Sequence, residues 1–474
     1  MALLHLWIIA ITAVVVVANT NPNFLLPRQQ NSSTTWPYGP FSTRGRDIIN
    51  SRNEVITWAG VNWPLSGETM IPEGLEHASA DSILDRIASA GFNFIRMPYA
   101  IEMIDLFYLN NQTSPPFPQT LLSTLGPDNG TLITTQILTH NPIWTRNTTL
   151  LKIWSDVVRM AAAKQLYVHP DAHVSKAKWC CSHADGNAWF GDTHFHTGNW
   201  KRGLEYVAAW AGNHSNIVSM SLRNEPRSSS IAGGYNWVNF LGNMTSAADA
   251  IHAANPDLLI TWAGMQFGQD LSALTTANKN LWTAGCYKCD AVRDGLRREP
   301  VYFNLDDHPW GGKVVWEVHL YESSEDMDTG NCRMIEAGLY RNGFNALGMG
   351  RPAACNSTLR AAGVEEEWCA PAQKLTPVIL SEFGRRQDGG LMSDVLLGCL
   401  REFTKRYGVS WAMWSLAGRY RIREGRQQDE DAWGLLNGTW NGWRFEEGVE
   451  GFWKPWVRDM GLPSPEGTGS RHRG

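Results

Sequence analysis

The chain has 474 residues, 43% of them hydrophobic and 18% charged, enough for a large core in one α/β barrel or in two to three average domains. Its 41 basic and 46 acidic residues give a net charge of −5 with no basic run, so no nucleic acid partner is expected.

Met1 to Ala18 is apolar, too short for a comfortable membrane span, and ends on a small residue. Residues 1–18 therefore read as a signal peptide, with no stable membrane insertion after cleavage. Secretion also fits Asn-x-Ser/Thr sequons at Asn31, Asn111, Asn129, Asn147, Asn213, Asn243, Asn356 and Asn437. The 8 cysteines favour disulfides in an oxidising compartment, and Cys286-x-x-Cys289 reads as a loop disulfide because a second Cys-x-x-Cys is missing. A polar, Pro-containing lead is expected over 19–41, one folded domain over 42–462, and a flexible tail over 463–474.

Within that domain, Asp47 to Trp63 reads as strand, turn, strand. A helix over Asp81 to Ala90 carries Ile83, Leu84 and Ile87 at helical spacing, with Gly91 as its stop. Strands follow at 92–98, 166–173, 216–225, 258–263, 313–321, 377–383 and 409–416. Helices are predicted at 149–164, 199–212, 237–254, 393–407 and 445–460, the last with a Trp-rich face. Eight strands alternating with helices predict an α/β fold, a single (β/α)8 barrel. A doubly wound sheet fits less well, since no Gly-rich phosphate loop appears at a strand-to-helix turn. Segments 100–147, 174–198, 264–312 and 322–376 would be long βα loops walling a cleft on the face where barrel active sites sit.

Strand periodicity places polar residues inward. Glu317, His319 and Tyr321 share one face of their strand, and His169, Asp171 and His173 share one face of theirs. Two strands end on a glutamate followed by a chain breaker, Asn224-Glu225-Pro226 and Ser381-Glu382-Phe383-Gly384. A pair of such carboxylates is the machinery of glycoside hydrolysis.

With these motifs in order, the chain resembles the clan A retaining glycosidases of glycoside hydrolase family 5, the cellulase family. More narrowly, Asn62-Trp63, Pro72-Glu73-Gly74-Leu75, Trp179-Cys180-Cys181, Gly191-Asp192 and Gly434-Leu435-Leu436 resemble its plant and fungal cellulase-like branch. The resemblance implies Glu225 as acid/base and Glu382 as nucleophile, supported by Arg96, His173, Asn224, His319, Tyr321 and Trp414. It implies a carbohydrate substrate, a β-glucan or β-glucoside. Arg96 and Tyr321 are expected to keep Glu382 ionised, and its charge to keep Glu225 protonated. Asn224 would hold the sugar 2-hydroxyl, and Trp414 would offer a flat face to the ring.

Asp171 is expected behind His173, and Trp63 and Glu68 in the cleft. No metal and no cofactor are expected: His169, His173, His183, His194 and His196 lack a ligand spacing, and the reaction needs none. A secreted monomer is expected. The same core residues serve an exo-acting β-glucosidase, a β-mannanase or a transglycosylase, and a non-catalytic carbohydrate-binding barrel is the rival of a different class.

Overall fold

The computed structural model describes residues 35–64, 67–286, 288–290, 298–324, 329–353, 355 and 370–462. The signal segment 1–18, most of the lead, the tail 463–474, the sequons at Asn31 and Asn356, and Cys369 lie outside the described residues.

Eight parallel strands close into a barrel in sequence order: β1 (Ala59–Asn62), β2 (Phe94–Ala100), β3 (Tyr167–Val174), β4 (Ser219–Ser221), β5 (Leu259–Ala263), β6 (Val314–His319), β7 (Val378–Glu382) and β8 (Ser410–Met413). Closure runs through β8, whose Trp411, Ala412 and Met413 pair with Ala59, Gly60 and Val61 of β1. Each strand is buried on both faces, as a parallel sheet wrapped by helices requires. This is the (β/α)8 barrel the alternation predicts.

The surrounding helices start where local chemistry starts them. Ser79 caps Ala80–Ser89 by accepting from Ser82 N, Asn236 caps Trp237–Ala254, and Asp394 caps Val395–Tyr407, which stops at Gly408 with φ +66°. The Cys332–Cys399 disulfide ties helix Cys332–Arg341 to Val395–Tyr407, and Cys286–Cys289 is the expected loop disulfide.

Several expectations change. The supposed long loop 100–147 holds three helices, Glu102–Leu109, Phe117–Leu125 and Pro127–His140. The lead is not wholly unpacked either: Phe41 is buried in the barrel floor beside Trp58, Phe94 and Tyr167. After β8 comes an unforeseen hairpin, Arg419–Arg423 against Arg426–Glu430, turned at Glu424 and Gly425, both with positive φ. Arg421, fully buried, donates from that hairpin to Glu76 Oε2 and to the carbonyls of Ile71 and Pro72, locking it onto the loop after β1. The final helix is broken into Glu446–Gly448, a π turn at Val449–Trp453, and Lys454–Asp459. Pro455 explains the break, since it has no N–H for the helical ladder. Its Trp453 and Trp456 stack at 5.6 Å and pack on Trp411, a core role.

Candidate active site

The barrel interior is layered by the two-residue period of its strands. Trp58, Phe94, Tyr167, Val218, Leu259, Val315, Ile379 and Ala412 form an apolar floor. Further along the same strands the interior turns polar. There Ser219 bonds His169 Nδ1 at 2.8 Å, Ser221 donates to Asp171 Oδ1 at 2.5 Å, and Thr261 and Ser381 donate to Glu317 at 2.6 and 2.7 Å. Both carboxylates of this layer, Asp171 and Glu317, thus have donors, which is what permits charge at that depth.

Arg96 stands at the centre of this layer and is fully buried. Its Nη1 donates to Glu382 Oε1 at 2.5 Å and Asn62 Oδ1 at 2.9 Å. Its Nη2 reaches Asn224 Oδ1 at 2.9 Å, Glu317 Oε1 at 3.0 Å and Asp171 Oδ2 at 3.1 Å. Burial opposes its charge, yet Asp171, Glu317 and Glu382 together hold the guanidinium above its ordinary range.

The two strand-end glutamates meet above this layer. One carboxylate oxygen of Glu225, one of Glu382 and a ring nitrogen of His319 all lie within 4.8 Å of one another. His319 Nδ1 is 2.9 Å from Glu225 Oε1 and 3.6 Å from Glu382 Oε2, and Tyr321 donates its hydroxyl to Glu382 Oε2 at 3.2 Å. Glu225 follows the end of β4 with φ +44°, a conformation L side chains rarely adopt, which turns its carboxyl into the opening. Arg227 secures that turn by donating to the Glu225 carbonyl at 2.8 Å.

The electrostatics depart from one expectation. Burial works against charge on His319, but Glu382, Glu225 and Glu317 raise it to about 10, so the imidazole is protonated at neutral pH. Burial pushes the Glu225 carboxyl up, but the His319 hydrogen bond and charge, with Arg227 and His173, outweigh it and hold it below its usual value. The direction on Glu225, downward through its bond to His319, is opposite to the rise expected from repulsion by Glu382.

Around the pair, His173 Nδ1 bonds Asp171 Oδ2 at 2.6 Å, as expected, and its ring stacks on Trp414 with centroids 5.7 Å apart. Trp414 keeps exposed surface while Trp411 has none, so the two β8 tryptophans take opposite roles. A cavity of about 280 Å³ opens beside Glu225 and Tyr321, lined further by Cys181, His183, Phe267 and Lys288. Glu68 is half-buried near the Trp179 backbone, and burial raises its carboxyl. Trp63 corrects its expectation: it has no exposed surface, donates Nε1 to Glu73 O at 3.0 Å, and belongs to the core.

Sequence reasoning gave Asn62 no role in the site, yet its Nδ2 donates to the carbonyls of Ser381 and Met413 while its Oδ1 receives Arg96. Its place at the end of β1 was the available signal. The five histidines do not gather on a metal: His169 bonds Ser219, His183 bonds Ser228, and His196 caps helix Thr197–Ala211. Among the described residues, groups with metal-ligand proximity are His173 with Cys180 and Cys181, and the Glu225–His319–Glu382 cluster itself. The first is spent on a Cys180–Cys181 disulfide.

Known proteins resemble the chain in sequence and in fold. The sequence model described as Cellulase (glycosyl hydrolase family 5) matches residues 49–419. A "Glycosyl hydrolase 5 family protein" of Chamaecyparis obtusa is 28% identical over 415 residues, 85% of this chain, which spans only 63% of that relative's length. An "Endoglucanase" of Paenibacillus polymyxa is 21% identical over 85% of this chain and 84% of its own. The catalytic domain of the major endoglucanase from Xanthomonas campestris pv. campestris shares the fold with TM-score 0.57 at 16% identity, covering 89% of this chain and 99% of that one. A cellotetraose complex of the endocellulase from Pyrococcus horikoshii does so with TM-score 0.54 at 20% identity, covering 89% and 98%.

Proposed function

The chain belongs to the cellulase family, glycosyl hydrolase family 5, and from that premise we propose that it is a secreted retaining β-glycosidase hydrolysing O-glycosidic bonds of a β-glucan. The observation that carries this reading is the meeting of Glu225 and Glu382, whose oxygens approach within 4.8 Å at the C-terminal ends of β4 and β7. Retaining glycosidases hold their carboxyls about 5 Å apart, whereas inverting ones leave room for a water.

In this mechanism Glu382, oriented by Arg96 and Tyr321, attacks the anomeric carbon as the leaving oxygen takes a proton from Glu225. His319 feeds that proton to Glu225 along their 2.9 Å hydrogen bond, the two groups titrating as a pair. Esterification of Glu382 removes one of the charges that keep His319 protonated, and the free Glu225 carboxylate then accepts a proton from the attacking water. Asn224, held by Arg96 through Oδ1, presents its Nδ2 to the sugar 2-hydroxyl, and Trp414 gives the ring an apolar face.

The names of the relatives, endoglucanase and endocellulase, favour a β-glucan, cleaved internally. Secretion and glycosylation are supported by exposed sequons at Asn111, Asn129, Asn147 and Asn213 together with the disulfides. The test is Glu382→Ala. Turnover of an aryl β-glycoside should vanish, and azide should restore it with a glycosyl azide of inverted configuration as product. Unchanged hydrolysis by the variant would end the assignment.

A further inference from the structure

The Cys180–Cys181 disulfide lies in the loop after β3, half-buried, and its sulfurs face the end of the Asn224 side chain. Asn224 is 1% exposed, and its Oδ1 is taken by Arg96 Nη2 at 2.9 Å, which fixes the amide's orientation. The Nδ2 group points away from Arg96 and finds only long partners: His173 Nε2 at 3.5 Å, Cys181 Sγ at 3.7 Å and Cys180 Sγ at 3.9 Å. With no shorter acceptor among the described residues, the two N–H donors of this buried amide are placed to meet a ligand oxygen.

We infer that the Cys180–Cys181 pair is the apolar wall of the pocket that receives the sugar 2-hydroxyl, and that it sets which C2 configuration the enzyme accepts. The inference rests on the glycosidase reading above, in which Asn224 Nδ2 donates to that hydroxyl. An oxygen bonded to Nδ2 sits about 2.9 Å from it. Both sulfurs are within 3.9 Å of the same nitrogen, on the side its N–H groups face, so an oxygen taken up there sits beside them.

Sulfur accepts hydrogen bonds weakly, and a disulfide has no donor, so the wall shapes the pocket without competing for the hydroxyl. The remaining side is His173, itself held by Asp171 at 2.6 Å. The 2-hydroxyl is therefore met by one donor, one imidazole and two sulfurs, and an epimer that turns the oxygen away from Nδ2 pushes it or the neighbouring C–H into one of them. Trp179, the residue before the pair, anchors the segment: its ring packs on Tyr420 at 5.1 Å and under the Arg423 guanidinium at 4.3 Å. The wall is thus braced by the hairpin after β8.

The experiment compares aryl β-glucoside with aryl β-mannoside, which differ only at C2, and aryl β-glucoside with aryl β-xyloside, which differ at C5, in the full chain. The Cys180→Ser/Cys181→Ser variant should compress the wild-type preference between C2 epimers by about tenfold in kcat/KM and leave the glucoside-to-xyloside ratio within about twofold. Ratios do not depend on the folded fraction, so partial misfolding hides nothing, and Cys180→Ala/Cys181→Ala repeats the test with no hydroxyl added. An unchanged epimer ratio, an equal fall of both ratios, or loss of all turnover in both variants would overturn the assignment. Failure of the wild type on every aryl glycoside would instead strike the glycosidase reading itself.

Discussion

Ser381 and Glu382 are consecutive in β7, yet both side chains enter the barrel: Ser381 donates to Glu317 Oε1 at 2.7 Å and Glu382 Oε1 receives Arg96 Nη1 at 2.5 Å. An unbroken strand would send them to opposite faces. A register shift between Leu380 and Glu382 against β6 resolves the conflict and pairs Glu382 with His319. Ser381 is then the residue that ties the shifted end to the polar layer. Ser381→Ala should lower stability by about 1 kcal/mol, read as a denaturant midpoint, since Glu317 keeps its other donors. It should lower kcat more than it raises KM, because Glu382 loses its fixed aim.

Arg96 serves Glu382, Asn224, Asp171, Glu317 and Asn62 at once, and it can do so only because the guanidinium is a planar fork. A lysine ammonium keeps the charge but reaches one side of that set. Arg96→Lys should cost roughly 10²- to 10³-fold in kcat/KM, the size of losing a preorganised donor at the reacting centre. Steady-state kinetics check this, and a loss smaller than tenfold would mean that Glu382 does not depend on the fork.

His319 gives a pH signature with a definite sign. Its folded value is raised to about 10, whereas an unfolded imidazole titrates near 6.5. The stability it contributes is complete below about pH 6.5 and is lost as pH rises through about 10. The wild-type denaturant midpoint should therefore decline from neutral to alkaline pH more steeply than that of His319→Gln. The same variant leaves the acid proton to the Glu225 carboxyl alone, without the imidazole that shares it, so the alkaline limb of its kcat/KM profile should move to lower pH.

What the sequence made legible was whatever strand periodicity and local capping decide. The inward rows Glu317–His319–Tyr321 and His169–Asp171–His173 needed only period two, and helix Trp237–Ala254 appears with its expected ends. What it concealed depends on contacts far apart in the chain. The hairpin strand Arg426–Glu430 has no apolar alternation, and it exists because Arg421 beside it is buried against Glu76. The downward pull on the Glu225 carboxyl was not visible in the sequence, because His319, which bonds it at 2.9 Å, comes 94 residues later. Trp63 was expected in the cleft, but adjacent strand residues face opposite ways: Asn62 enters the barrel and Trp63 joins the core.

Glu225 carries the last prediction, because its backbone and its carboxyl make opposite demands. At φ +44° an L residue is strained, and glycine is not. Chemistry needs the carboxyl, so selection for stability alone would not retain glutamate there. Glu225→Gly and Glu225→Ala should both fail on substrates with poor leaving groups, by roughly 10²- to 10⁴-fold, and retain glycosylation of substrates with activated ones. They should differ in stability: the glycine variant avoids the left-handed penalty and should exceed the alanine variant by on the order of 1 kcal/mol. Thermal melting of the two variants decides it. Equal melting temperatures would mean that the turn after β4 relaxes once the His319 contact is gone, so that the carboxyl, held by the imidazole, is what bends the chain.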